Sequence, residues 1–260
     1  MTPDILVERA GATATVTLFN PDKLNAMTAA MWRRLKVVMD DLSADGGLRC
    51  VVVRGEGQAF AAGGDIEEFL DVRDTYEKAR TYHGEWVAGA LDAVAGCRHP
   101  VVAEIRGACI GGGLEIAAAC DLRIAGEGAR FGAPIMKLGF TMAHSELVGL
   151  VALAGPAVAL EILLEGRILT AAEARDKGLV TRVVPDEGLA AEVAATAGRI
   201  ASGAPLAARA HKRLVRRLTA AAATLDEAET RENFAFLDTD DYREGLAAFL
   251  AKRRPDFRGT

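Results

Sequence analysis

Several patterns that would point to secretion, metal binding or a membrane are missing from this chain. It has four cysteines, at 50, 97, 109 and 120, with no CxxC pair and no Cys/His ligand spacing. Neither disulfides nor a metal site is expected, and in apolar surroundings such thiols act as small hydrophobes. No run approaches the roughly 20 uncharged apolar residues of a membrane span. The opening MTPDILVERAG carries neither the basic nor the apolar region of a secretory leader. Basic residues are not in excess, and a net charge of −5 argues against broad binding of nucleic acid or anionic membranes. The expectation is a soluble cytoplasmic protein. Half of its 260 residues are hydrophobic, enough for one large domain or a main domain with a small appendage.

What is present centres on residues 101 to 120, VVAEIRGACIGGGLEIAAAC. Val101 to Ile105 is apolar and β-branched enough for a buried strand. Gly107 ends it, and Leu114 to Cys120 has the alanine-rich composition of a packed helix. The glycines 111 to 113 therefore stand at a helix N-terminus, where backbone N–H groups lack partners and the dipole is positive. An anion or a developing oxyanion fits there. Glu115, one turn on, is a lone carboxylate among Leu114, Ile116 and alanines, and ionising it there is costly without a partner. A structural reading pairs it with Arg106 or Arg123; a functional one keeps it for chemistry.

In chain order, ILVERAG and TATVTLF read as a hairpin joined at Gly11. Thr28 is a good N-cap for an apolar-periodic helix through Met31, Leu35, Val38 and Leu42. CVVVRG is a buried strand, and the segment 58 to 65 after it has little bulk beyond Phe60, a second place where backbone N–H groups could meet a ligand. Ile66–Leu70 and Thr75–Ala95 read as helical, with Tyr82, Trp86, Ala90 and Val94 on one face, a stripe suited to core packing. Asp121 to Ala125 is a short strand, and FGAPIMKLGF a Gly/Pro-punctuated connection. Glu146 to Glu165 is helix-rich, interrupted at Gly155-Pro156, and Thr170 caps a short helix. From about Asp186 onward the pattern is helical, with breaks near Gly203–Pro205, at Thr224 and near Asp238–Asp241. Residues 1–195 form an α/β part and 196–260 a helical region.

This order of motifs resembles the crotonase superfamily, the enoyl-CoA hydratase/isomerase family, over nearly the whole chain. The matching stretches are PDKLNAM at 21–27, AFAAGGDIEEF at 59–69, GGGLEIAAACDLRIA at 111–125, FGAP at 131–134 and EGLAAFLAKRRPDF at 244–257. The resemblance implies a spiral of ββα turns, a C-terminal helical region that helps bind neighbouring subunits, and a homotrimer or a hexamer built as two trimers. It implies an acyl-CoA thioester as ligand, with coenzyme A entering as part of the substrate and no separate cofactor. By position in the motifs, the N–H groups of Gly64 and Gly112 would hold the thioester oxygen and stabilise an enolate. Lys23, Leu24, Ala62, Asp65 and Ile66 would lie along the CoA, and Phe249 and Lys252 would reach CoA bound to an adjacent subunit or else belong to an ordinary amphipathic helix.

One departure bears on the reaction. Hydratases of this family use two glutamates; the first corresponds to Glu115, but the position of the second is Ile135, which transfers no proton. The turn that follows is altered too, to Gly139-Phe-Thr-Met-Ala-His-Ser-Glu146. Three readings stay open. Glu115 alone works with the oxyanion hole as base and then acid. His144 or Glu146 enters the pocket and supplies another acid, base or nucleophile, against the bland reading of a helix-start histidine and a glutamate facing the helix dipole. Or the chain binds acyl-CoA without turnover. The outer pocket is expected from the stretch Leu70–Gly84 and the altered turn.

Overall fold

The structure is a computed structural model, and residues 2–219 and 227–255 are described. The strands are β1 (Asp4–Ala10), β2 (Thr13–Phe19), β3 (Cys50–Gly55), β4 (Val101–Ile105), β5 (Ala108–Ile110), β6 (Leu122–Gly126), β7 (Arg130–Gly132), β8 (Leu169–Thr170) and β9 (Arg182–Val184). The helices are α1 (Ala29–Ala44), α2 (Phe69–Val72), α3 (Tyr76–Thr81), α4 (Ala88–Gly96), α5 (Gly112–Ala119), α6 (His144–Glu165), α7 (Ala171–Asp176), α8 (Leu189–Ser202), α9 (Pro205–Thr219), α10 (Glu227–Asn233) and α11 (Asp240–Leu250). A π-turn, Tyr82–Val87, joins α3 to α4.

Six strands form one sheet in the order β1-β2-β3-β4-β6-β9, and β5-β7-β8 form a second. The β1/β2 hairpin is antiparallel, and every later pair in the larger sheet is parallel. The chain climbs by repetition. β4 leads into β5 and β6 into β7, so that β4 lies beside β6 in one sheet while β5 lies beside β7 in the other. A parallel bridge from Ala61 to Cys109 carries the smaller sheet one turn further back. This is the expected spiral.

Both faces of the inner strands β3 and β4 are covered, which is why they read as continuous apolar runs, whereas the edge strand β1 is largely exposed. Val51, Val53, Val101 and Ala103 point into the main core with Trp32, Leu35 and Leu114. Their neighbours Cys50, Val52, Val102 and Ile124 point the other way, onto Leu189, Val193 and Ala197 of α8. Burying each such Val or Leu contributes about 1.5–3 kcal/mol. All four cysteines are buried and free, and burial pushes the Cys50 and Cys120 thiols up to about 12.

Local signals hold where they were strongest. Thr28 caps α1 by accepting from Met31 N, and Thr170 with Glu173 closes a capping box on α7. Helix α6 is by length and composition apolar enough to cross a membrane, with a mean hydropathy of 2.3, although Glu146 and Glu161 bound its uncharged stretch. Its backbone leaves helical geometry at Gly155 (φ 78°, ψ 164°), immediately before Pro156.

The whole smaller sheet, β5, β7 and β8, was not foreseen, nor were the π-turn and the 3-10 geometry of Pro134–Leu138. Each is too short for a periodic pattern. In the C-terminal region, Lys212 and Arg216 of α9 pair with Asp121 at 2.7 and 2.9 Å. Phe234, Phe236, Tyr242 and Leu246 form a third cluster against Ala79 and Ala143. The expected break at Thr224 and the motif residues Asp256 and Phe257 lie outside the described residues.

Candidate active site

The two glycine-rich segments meet. Met27 N donates to Gly63 O and Asp65 N to Met27 O, an isolated parallel bridge that pins residues 63–65 beside the start of α1. Gly111 N donates to Gly132 O, which fixes the entry to α5. Gly63 (φ 111°) and Gly111 (φ 49°) both adopt backbone that side chains disfavour. A Cβ on Gly112 would lie 3.5 Å from the Gly63 carbonyl carbon and 2.8 Å from Trp32 Cζ2, so the space is closed to any larger residue. Gly112 opens α5, so its N–H has no intrahelical acceptor. Among the described residues neither it nor the Gly64 N–H makes a hydrogen bond. Both residues line a cavity of about 190 Å³.

Glu115 lines the same cavity one turn into α5. It is buried, and no hydrogen bond holds its carboxyl among the described residues. Arg123 donates instead to the carbonyls of Ala117, Cys120 and Asp121, so the structural pairing with Glu115 is not formed. Burial raises the Glu115 carboxyl well above its ordinary value; the nearby Glu146 charge adds to the rise, and Arg73 opposes it. Glu115 therefore enters the neutral range protonated far more than a solvated glutamate.

The remaining wall comes from the two stretches expected to supply it. From the first come Arg73, Tyr82 and His83; from the altered turn come Phe140, Met142 and Glu146, with Ile135 beside them. His83 Nδ1 lies 2.6 Å from Glu146 Oε1, and His83 Nε2 lies 2.9 Å from Arg73 Nη1. A guanidinium can only donate, so Nε2 is the acceptor and the imidazole proton sits on Nδ1, facing Glu146. Glu146 Oε2 accepts from the Ala143 N–H at 3.0 Å. Both oxygens of Glu146 are thus engaged, and it serves the helix start and the cavity at once. His144 stands half-buried at the first position of α6 and is not among the lining residues.

The segment that precedes α1 gathers the other expected residues. Lys23 Nζ bonds Asp65 at 2.7 Å and Glu67 at 2.8 Å, and these bonds raise its pKa. Leu24 is exposed in left-handed backbone, and Ala62 N donates to Leu24 O. Asp65 caps the turn Ile66–Glu68 by accepting from Glu67 N. Ala62 and Ile66 line the cavity. Phe249, at the end of α11, lines the cavity of its own chain, because α11 folds back over Pro134–Leu138. Lys252 follows it in left-handed backbone, exposed and outside the lining.

Arg73 and His83 were missed from the sequence. Neither belongs to a motif, and their partners come from distant segments: Glu146 for His83, and Phe140 and Tyr242 for Arg73. The clue available was only that two polar residues interrupt a segment otherwise suited to packing. Chemically, two unpaired N–H groups beside a buried carboxyl of raised proton affinity can hold an oxygen that gains negative charge and move a proton near it.

Comparison with known proteins points the same way. The profile of the enoyl-CoA hydratase/isomerase family matches residues 8–260. A protein of Rhizobium meliloti (strain 1021) named "Probable enoyl-CoA hydratase" is 37% identical over 257 residues, covering 98% of this chain and 97% of its own. The crystal structure of an enoyl-CoA hydratase/carnithine racemase from Magnetospirillum magneticum superposes with a TM-score of 0.82 at 51% identity, over 98% of this chain and 96% of that one. A methylmalonyl-CoA decarboxylase in complex with 2-nitronate-propionyl-CoA superposes with a TM-score of 0.87 at 26% identity, over 98% of each chain. The chain belongs to the enoyl-CoA hydratase/isomerase family, within the crotonase superfamily.

Proposed function

We propose that the chain is an enzyme that binds an acyl-CoA thioester and stabilises its enolate between the Gly64 and Gly112 N–H groups, with Glu115 moving the proton. The observation that carries this reading is the convergence of two unpaired N–H groups and one unpaired, raised carboxyl on one cavity. Each preorganised donor contributes about 2.7–4 kcal/mol to a developing oxyanion. The 2-nitronate-propionyl-CoA held by the decarboxylase of the same fold supports a thioester site. Lys23, Leu24, Ala62, Asp65 and Ile66 lie together where the CoA would run, with Phe249 at the rim from the same chain and Lys252 just beyond.

The reaction is set by what faces Glu115. With Ile135 at the second glutamate position, ordinary two-glutamate hydration has no second carboxylate there. Glu146 reaches the cavity from another element, and its effect on Glu115 favours it over His144 as a companion group. A Glu115-only double-bond shift, a reaction assisted by Glu146, and binding without turnover are separated by one experiment. Purified protein and Glu115→Gln are offered saturated, 2-enoyl and 3-enoyl thioesters in deuterium oxide, and exchange at Cα is followed by mass spectrometry. Exchange that Glu115→Gln abolishes sustains the proposal. Equal exchange by both removes Glu115 from the chemistry, and tight binding with no exchange marks a binding protein.

A homotrimer or a dimer of trimers, working in the cytoplasm, completes the reading. Leu160 and Leu164 of α6 and Leu206 and Leu214 of α9 are all more than half exposed, an apolar surface that subunit contact would cover. Light scattering on the eluting species distinguishes three copies from six.

A further inference from the structure

A second and larger cavity, of about 670 Å³, lies between α4, α5, α6 and α9. Glu115 and Glu146 line it as well as the thioester cavity, and no other described residue lines both. The two carboxylates therefore stand as the partition between the two spaces. The second cavity follows the face of α5 that carries Glu115, through Ala118 and Ala119, and the face of α6 that carries Glu146, through Gly149 and Leu153.

Where those faces meet, the side chains are small. A Cβ on Gly149 would stand 3.8 Å from the Ala118 Cβ, an ordinary contact. Packed interiors rarely leave a space of this size, and this one is polar. Asp92, Ser145, His211 and Lys212 line it, together with Asp121, which Lys212 and Arg216 pair. Ser145, Val148, Ala152 and His211 are exposed, so the cavity opens at the surface. A buried water takes about 30 Å³ and needs roughly two to four polar partners, and the cavity supplies both. The thioester cavity is the smaller, at about 190 Å³, and an acyl group seated in it displaces its water. Between them Glu115, only 8% exposed, makes no hydrogen bond among the described residues and is free to turn. Glu146 is held through both oxygens by His83 and Ala143.

We infer that the second cavity is a water passage, through which the proton on Glu115 exchanges with solvent while the thioester is bound. This rests on Glu115 as the group that takes the Cα proton. In that step the C–H electron pair moves toward the thioester oxygen, and the carboxylate becomes a carboxyl. The carboxyl then passes its proton to a water in the second cavity and takes a different one back, so that carbon receives a solvent proton. Glu146 is the fixed edge of the passage, and Glu115 turns between the two spaces.

The test follows the label. A 3-enoyl thioester carrying deuterium at Cα is incubated with the full chain in ordinary water. Mass spectrometry counts label lost to water, in product and recovered substrate, against label carried to Cγ. Loss is expected to predominate in the wild type. Gly149→Val and Ala118→Leu fill the passage from opposite helices and touch no residue position of the thioester lining. Each should lower the ratio of loss to transfer about tenfold, at unchanged thioester affinity. Where the double bond does not shift, the rate of loss itself should fall by the same factor. A misaligned site slows both fates together and leaves their ratio alone. Label carried wholly to Cγ by the wild type, or an unchanged ratio or rate in either folded variant, overturns the passage and leaves Glu115 in its role. Label loss that persists in Glu115→Gln, or no reaction of the label at all, overturns the reading of Glu115 and the passage with it.

Discussion

His83 and Glu146, 63 residues apart, share a hydrogen bond of 2.6 Å between Nδ1 and Oε1, and it ties the π-turn to the first turn of α6. Through its other nitrogen the same ring holds Arg73, so three buried polar side chains from three elements form one chain of contacts. Glu115 lies within reach of its charges but outside its hydrogen bonds.

Removing the middle member strands both ends. His83→Ala leaves Arg73 Nη1 and Glu146 Oε1 buried without partners, and destabilisation of about 3 kcal/mol is expected. Urea unfolding monitored by circular dichroism measures it. A midpoint equal to that of the wild type would mean that water or another side chain replaces the ring at no cost.

The effect of Glu146 on Glu115 is also separable. Burial is the larger cause of the raised Glu115 carboxyl and survives in Glu146→Gln, but the neighbouring negative charge does not. Glu115 should then titrate at lower pH than in the wild type while staying above an ordinary glutamate. The protonated carboxyl band in infrared difference spectra, absent from Glu115→Gln, reports it. An unmoved band would place the two carboxylates too far apart to interact.

Stability and pH are linked through the same group. Glu115 binds its proton more tightly when folded than when unfolded, so its contribution to stability is present below about pH 4.5 and is lost as pH rises through its folded value. Glu115→Gln removes that loss. The variant should melt above the wild type at pH 8, with the gap closing toward pH 4. Calorimetric melting across this range gives the answer, and a variant less stable at pH 8 would contradict the assignment.

Gly112 combines steric and catalytic demands. An added methyl group would stand 2.8 Å from Trp32 Cζ2, and Trp32 is held by its bond to the Tyr82 hydroxyl at 3.2 Å. Gly112→Ala should therefore shift the α5 entry and misplace its N–H, lowering Cα exchange by about 10²–10³-fold, the value of one lost donor. Unchanged exchange rates in a folded variant would show that the N–H is not used.

The hairpin at the N-terminus, the capped helices α1 and α7, the buried strands and the opening of α5 by glycine were legible because each is decided within a few residues, by β-branched runs, capping hydroxyls and small residues. The glycine segments and Glu115 were legible because their composition departs from what packing alone requires. What sequence left open was which groups meet. Glu115 was equally compatible with an ion pair to Arg123 until the fold turned that arginine onto the carbonyls that end α5. His144 and Glu146 were equivalent candidates two residues apart, and only the direction in which α6 starts sends Glu146 into the cavity. Arg73 and His83 gave no local signal, because a buried charge is recognised by its surroundings, and those come from elements distant in the chain. Sequence determined the elements and the nature of the pocket, through short-range sterics and hydrogen bonding; the tertiary structure decided which charges share its interior, because burial and long-range pairing exist only once the chain has closed around them.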